Sequence, residues 1–383
     1  MLQQFDVLSG WHLAPDDPPP LGARPQALLT ASLLDEITGL PPEKRLQAST
    51  SNAGLLARMA AGGLGGLVGQ PLAHFSPGFI TGATLHLSVR GAGYLPLTIT
   101  ATIGPEPGYP AAFAPVDLGA VALHRTPVRL LGRAVSRTRS PRAGAVATLD
   151  GIWLTLADLL NPPTPPDLVC LSSPLYADRA AGATIAQQNL TAAPPAEAKQ
   201  LLRPGNVGDR AVRLSDQQAL APGDILAFDP QDPGRAEYLA VVAITDAGAG
   251  ADEPATAELA FPLVRLHHAG AGAIRMIAGA AGAANPLARP AYAGDVTLYP
   301  ASMSGLDATM TVLVVSGGPP DEYHAAVLAA AIGDADGYLR LPPLHRLAQL
   351  RLRVQHPAEP TDLLRDVILP LGAVELVVNL VFQ

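Results

Sequence analysis

A chain of 383 residues, 48% apolar and only 15% charged, can bury substantial cores, and at roughly 100–200 residues per domain it should form two to four units. Its 39 prolines and 37 glycines interrupt any long helix, so short strands joined by turns are expected. A net charge of −8 argues against a general nucleic-acid or anionic-membrane surface, and the single cysteine, Cys170, excludes an intrachain disulfide framework.

Residues Met1 to Gly22 lack the basic start and apolar run of a secretory signal, and no stretch reaches the roughly 18 apolar residues of a membrane span. Cytoplasmic synthesis is therefore expected, with incorporation into a particle as a further step. The tract Pro15-Asp16-Asp17-Pro18-Pro19-Pro20 has nothing apolar to bury and reads as a stiff linker, which makes residues 1–25 an arm and linker.

A first β-sandwich module is expected over residues 26–126. Leu28 to Thr38 is followed by a turn at Gly39 to Pro42, and period-two alternation appears in Leu85, Leu87, Val89 and in Leu95, Leu97, Ile99 around a Gly91-Ala92-Gly93 hairpin turn. Between them, Ser51 to Ala61 is expected as a short helix leading into a glycine-rich loop, Gly62 to Gly69.

A second module, with a β-rich insertion, is expected over 127–278. It opens with Pro127 to Arg133 and a strand at Ala145 to Leu149 closed by an Asp150-Gly151 turn; a proline-rich break follows at Asn161 to Pro166, then a short helix at Glu197 to Leu202. Strands are expected at Ala211 to Leu214, Asp224 to Phe228, Glu237 to Ile244 and Ala257 to Leu263. A weak internal repeat links Pro174-Leu175 and Ala181-Gly182-Ala183 to Pro262-Leu263 and Ala269-Gly270-Ala271 at the same spacing.

The Gly/Ala tract Ala278 to Ala284 reads as a linker to a third β-sandwich module over 279–383. Its strands should include Asp295 to Tyr299, Thr309 to Val315, Leu350 to Val354, Val374 to Phe382 and, despite its alanines, the run from Glu322 to Ile332. The expected fold class is all-β, with tandem β-sandwich modules, a β-rich insertion and few short helices.

Three passages carry a resemblance. They are Asp35-Glu36-Ile37-Thr38-Gly39-Leu40-Pro41 with Gly93-Tyr94-Leu95-Pro96; Asp117-Leu118-Gly119, Leu123, Arg125, Pro127, Val128, Gly132 to Val135 and Pro141 to Ala145; and Asp334 to Pro343. Together they resemble the carboxypeptidase regulatory-like domain, a transthyretin-like β-sandwich. That resemblance implies a fold and no catalysis, since such modules act as spacers, folding aids or adhesive units; residues 155 to 278 depart from it. In style the chain is also similar to structural proteins of phage tails and contractile injection systems.

The residues that carry chemistry elsewhere lack their partners here. Gly62 to Gly69 has neither the Gly-x-Gly-x-x-Gly register nor a Lys-Ser/Thr ending, and so reads as a loop, not a phosphate cradle. Asp334-Ala335-Asp336-Gly337 begins like a calcium loop, but His345 stands where the closing Glu belongs, so a strand-joining turn is expected. There is no His-Glu-x-x-His, Cys pair or Gly-x-Ser-x-Gly, and adjacent His267 and His268 on a strand would point to opposite faces. Cys170, within Asp167-Leu168-Val169-Cys170-Leu171, reads as a buried strand residue. Arg133, Arg137, Arg139 and Arg142 read as a solvated turn. Asn189-Leu190-Thr191 matches a glycosylation sequon that a chain without a signal would not use.

No catalytic, cofactor-binding or metal residue is assigned, and no cofactor is expected. The function that fits is a non-catalytic structural protein whose sandwiches mediate protein–protein assembly, as a homo-oligomer or within a larger particle of phage-tail-like type. Contacts would run through strand edges, above all the apolar Glu375 to Gln383. The alternative is a carbohydrate- or cell-surface-binding modular protein, which the 4% aromatic content and two tryptophans, Trp11 and Trp153, make weaker. An enzyme, with a site assembled in residues 155 to 210, is third.

Overall fold

The computed structural model describes residues 26–69, 83–106, 109–165, 167–231, 235–306, 312–318, 320–327 and 329–383; the arm and linker expected over 1–25, with Trp11, lie outside them. The protein is all-β. It divides into two compact units, the first running up to Thr126 and taking in Leu154–Ala157 and Pro370–Val374, the second holding the rest.

The first unit contains β1 (Gln26–Asp35), β2 (Leu46–Ser49), β3 (Leu56–Met59), β4 (Leu64–Gly69), β5 (Ala83–Gly91), β6 (Leu97–Ile103), the short pair β7 (Pro105–Glu106) and β8 (Tyr109–Phe113), and β9 (Val116–Leu123). One sheet has the order β3-β4-β1-β9 and another β2-β5-β6. Leu29, Ala31 and Leu33 of β1 share a core with Leu67, Leu85, Leu87, Val89, Ile103 and Leu123, so alternate residues of both sheets face inward as the alternation requires.

Two expectations fail in this unit. The helix placed over Ser51 to Ala61 is instead β3, whose edge is taken by β4, with Leu56 opposite Val68. The glycine-rich run read as a loop supplies β4, hydrogen-bonded on both sides. Glycine is needed there for close approach: a Cβ at Gly66 would lie 2.5 Å from the Leu29 carbonyl oxygen.

The second unit opens with β10 (Arg129–Val135) and β11 (Val146–Trp153). Asp150-Gly151, expected as a turn, is a bulge within β11, where the register against its neighbour shifts between Leu149 and Gly151. Six short strands follow: β12 (Val169–Leu171), β13 (Thr184–Ala192), β14 (Lys199–Gln200), β15 (Ala211–Leu214), β16 (Ile225–Phe228) and β17 (Glu237–Thr245). Six more repeat them: β18 (Ala255–Leu259), β19 (Gly272–Ala281), β20 (Asn285–Pro286), β21 (Thr297–Leu298), β22 (Val312–Ser316) and β23 (Glu322–Val327). The chain ends with β24 (Ala330–Ile332), β25 (Tyr338–Arg340), β26 (Gln349–Gln355), β27 (Leu363–Ile368) and β28 (Glu375–Val381).

Here the expected module order gives way to nesting. β10 pairs with β25 and β28, and β11 pairs with β24 and β26, which is flanked by β27. The strands before the insertion therefore complete a sandwich with strands from the far end of the chain. Leu350, Leu352 and Val354 of β26 are buried, as their strict alternation with Arg351 and Arg353 anticipates. The boundary expected at 278/279 falls inside β19. Its Gly/Ala end has little side-chain surface to bury, but backbone pairing needs none, and Ala278 pairs with Leu190. The helix expected at Glu197 to Leu202 is a single 3-10 turn at Pro195–Glu197 leading into β14, and the run from Glu322 to Ile332 is split between β23 and β24.

The insertion is a closed ring in the order β17-β16-β19-β13-β22-β23, shut by the pairing of Tyr238 with Tyr323, with β18 and β15 attached to β17 and β12 and β21 attached to β23. Every pairing between non-equivalent strands occurs twice with the halves exchanged. β13 pairs with β22 while β19 pairs with β16; β12 pairs with β21 while β18 pairs with β15; β20 pairs with β13 while β14 pairs with β19. Residues that pair with their own counterparts, Tyr238 with Tyr323 and Leu190 with Ala278, mark a pseudo-two-fold axis. The sequence carries the duplication too. Leu201-x-Arg203-Pro204 with Gly208-Asp209 returns as Leu287-x-Arg289-Pro290 with Gly294-Asp295, and Glu237-Tyr238-x-Ala240-x-Val242 returns as Glu322-Tyr323-x-Ala325-x-Val327.

Candidate functional site

The duplicated ring encloses two related buried charge clusters. Arg179 of the first half reaches Glu322 of the second, with Nη2 2.8 Å from Oε1. At the equivalent place, His267 of the second half faces Glu237 of the first, with Nε2 3.6 Å from Oε1, while its Nδ1 lies 2.8 Å from Asp229 Oδ2. Each half thus gives a buried basic side chain to the other half's carboxylate. The backbone follows the same exchange: the Tyr176 N–H donates to Glu322 and the Val264 N–H to Glu237.

The two clusters differ in charge chemistry. Burial alone would raise the Glu322 carboxyl, but His324, the Tyr176 N–H and Arg179 outweigh it and hold it below its ordinary value. Burial works against the His267 imidazolium, yet Glu237 and Asp229 raise it above its ordinary value. A raised folded-state histidine contributes stability in full below its unfolded value of about 6.5, and loses it as the pH rises through the folded value. Stability measured in urea from about pH 6 to about pH 9 should therefore fall with pH, and His267→Phe should flatten that slope; an unchanged slope would count against the assignment.

Ser173, His324 and Glu322 stand in series, with Ser173 Oγ 2.9 Å from His324 Nδ1 and His324 Nε2 3.0 Å from Glu322 Oε2. The order is that of a nucleophile, base and orienting acid. Ser173 and Glu322 are each 1% exposed and His324 0%, and the Tyr176 ring stacks on the imidazole at 5.4 Å. The serine oxygen is buried, and the arrangement ties the Ser173–Tyr176 segment to β23.

Two Leu-His-Arg segments are gripped by carboxylates. In the first unit, Asp35 accepts from Arg125 Nε at 2.8 Å and Nη2 at 3.0 Å, from the Tyr94 hydroxyl at 2.9 Å and from the Ile37 and Thr38 N–H groups, while Glu36 faces His124 Nδ1 at 2.8 Å. In the second unit, Asp295 lies 2.7 Å from His345 Nδ1 and 3.5 Å from Arg346 Nη1, and Tyr299 and Arg289 donate to the His345 and Arg346 carbonyls at 2.7 and 2.9 Å. His345, which displaces the closing glutamate of a calcium loop in the sequence, is thus a core residue.

The other residues singled out from sequence do not converge. Arg133 lies over the Tyr338 ring, Arg142 pairs with Glu359, and Arg139 sits at φ 65° in an exposed turn. Asp334 Oδ1 accepts from the Asp336 and Tyr338 N–H groups within its turn, and no group of metal ligands occurs among the described residues. Cys170 is buried in β12, and burial pushes its thiol up to about 12, so it packs as an apolar residue. Trp153 is buried and donates its indole N–H to the Asn161 carbonyl. No spacing rule singles out Arg179 in the sequence, and Glu237 and Glu322 stand there only as strand ends, although the repeated Glu-Tyr-x-Ala-x-Val marks the two carboxylates as equivalent.

One exposed apolar feature of the sandwich is the β28 edge. β28 runs parallel to β10 and, among the described residues, has no strand on its other side. Val378 and Leu380 point into the core, whereas Val377 and Val381 are 68% and 43% exposed. In the other sheet β27 is also an edge strand, with Leu364 and Ile368 exposed.

No family model matches the chain, and no curated protein matches it in sequence. Among solved structures it is similar to the major pilin subunit BcpA of Bacillus cereus, at 9% identity over 94% of this chain and 99% of the pilin, with a TM-score of 0.19. A variant of the same pilin gives 9% identity over 93% and 99%, with a TM-score of 0.18. Scores this low do not establish a shared fold. No helix of the described residues is long and apolar enough to cross a membrane.

Proposed function

We propose that this protein is a structural subunit whose β-modules mediate protein–protein assembly. The observation that carries the reading is the β28 edge: seven residues long, paired on one side only among the described residues, with valines outward and no lysine or proline along it. Natural edge strands are usually blunted by such residues or by a bulge, because an open edge templates the addition of a further strand. The buried clusters of the ring, sealed as they are, act as internal fastenings. A phage-tail-like contractile injection particle is the assembly that the sequence most resembles in style, and the glycan-binding alternative gains nothing from Trp153, which is buried.

Light scattering on the purified chain should give a defined multimer, or recovery within a large particle after mixing with lysate of its source. The doubly substituted V377K/V381K protein should be monomeric with an unchanged circular dichroism spectrum. A monomeric parent chain that retains no protein partner would overturn the reading.

A further inference from the structure

The two halves of the ring carry the same Leu-x-Arg-Pro-x3-Gly-Asp motif, and in the second half that motif holds a peptide segment. Arg289 stacks over the Tyr299 ring at 3.7 Å and donates to the Arg346 carbonyl, Asp295 faces His345 and Arg346, and the Arg346 guanidinium lies over the Tyr292 ring at 4.9 Å. The segment held is Leu344-His345-Arg346, a loop of the sandwich that hosts the ring.

In the first half the equivalent residues border an open groove of about 520 Å³, lined by Arg203, Pro204, Asn206 and Asp209. Asp209 is set as Asp295 is: its Oδ2 accepts from the Asn206 N–H at 2.8 Å, as Asp295 Oδ2 accepts from the Tyr292 N–H at 3.0 Å. The backbones match as well, with Gly205 paired to His267 where Ala291 is paired to Arg179. Arg203, counterpart of Arg289, is exposed and has no hydrogen-bond or ion-pair partner among the described residues. One side of the groove differs. Arg213 stands at the position of Tyr299, lines the groove, and donates to the Asp246 carbonyl and the Thr256 hydroxyl.

We propose that this groove is the vacant counterpart of the occupied one and receives a basic loop from a partner protein, its backbone carbonyl taking the Arg203 guanidinium and its histidine or arginine side chain meeting Asp209. The occupied half shows the chemistry that such a motif recognises. The occupant comes from another protein because both Leu-His-Arg segments of this chain are already held, one by Asp295 and the other by Asp35 and Glu36. The proposal deepens the assembly reading by giving the partner's chemistry, and it uses a surface separate from β28.

The probe is the chain's own docked segment, the labelled peptide Leu-Pro-Pro-Leu-His-Arg-Leu-Ala of residues 341–348, titrated into the full-length protein and followed by fluorescence anisotropy. Saturable binding at millimolar strength or tighter is expected, weakened about tenfold by Arg203→Ala through loss of one charge-assisted hydrogen bond and more by Asp209→Asn, with Arg210→Ala unchanged. The sign at Arg203 separates recognition from general attraction. The peptide is cationic and the chain acidic, so removing an arginine tightens non-specific binding and weakens binding in the groove. No saturation, or equal or tighter binding to the Arg203→Ala protein, would overturn the proposal. Light scattering on the same samples reads the oligomer independently, so failure of the groove and failure of the assembly reading are distinguishable.

Discussion

Replacing Arg179 with methionine should cost the second unit about 3–5 kcal/mol, the usual penalty for removing one partner of a buried ion pair. Methionine fills much of the space, but it leaves Glu322 buried without its guanidinium, and Arg179 also donates to the Gly318 and Pro320 carbonyls, which lose a partner together. Calorimetry should show the unfolding midpoint falling by on the order of ten degrees. The doubly substituted R179M/E322Q protein should recover part of that loss, because the stranded charge is what costs most. Glu322 is held below its ordinary value, so its contribution is present above the unfolded carboxyl value of 4.5 and is lost as the pH falls through the folded value. The penalty of R179M should therefore shrink in acid. A penalty that is small at neutral pH, or that does not change with pH, would show that the exchanged pair does not fasten the two halves of the ring.

In the first unit the comparable position is Asp35. Asp35→Ala should destabilise that unit by about 3–5 kcal/mol, since it removes at once the acceptor shared by the Arg125 guanidinium, the Tyr94 hydroxyl and two turn N–H groups. Asp35→Asn keeps an acceptor and should cost less, about 1–3 kcal/mol. Burial by itself would raise this carboxyl; Arg125, Thr38 and Tyr94 together hold it low. Its contribution is accordingly present above the unfolded value of 3.8 and is lost as the pH falls through the folded one, and Asp35→Asn removes that acid sensitivity. Hydrogen exchange at the amides of β5 and β6 reads the unit directly. Protection unchanged in Asp35→Ala would mean that this carboxylate is not what closes the sandwich.

The same carboxylate shows what a linear reading reaches. Asp35-Glu36 and Tyr94 were visible as parts of a strand-and-turn pattern, because turn chemistry and alternation are local. That Asp35 takes Arg125 across the sheet is a contact between residues far apart in sequence, and no spacing rule predicts it. The glycine run at Gly62 to Gly69 failed for a related reason. Glycine's permissiveness suggests a loop when only the sequence is in view, and the need for a missing Cβ at Gly66 exists only once β1 lies beside β4.

What the sequence determined by itself was the all-β class, many of the strands and the absence of familiar catalytic and metal motifs, since composition and period-two patterning act over a few residues at a time. It also carried the duplication, seen only as a weak echo around Pro174 and Pro262. Tertiary structure alone decided that β10 and β11 close a sandwich with the end of the chain, that the ring between them exchanges strands and charges across a pseudo-two-fold axis, and that one of two equal motifs holds a loop while the other is open. These depend on which distant segments share a hydrogen-bonded edge or a buried charge. That choice is made by closure of the whole sheet and by the cost of leaving buried ions unpaired, and neither is a property of any short stretch of chain.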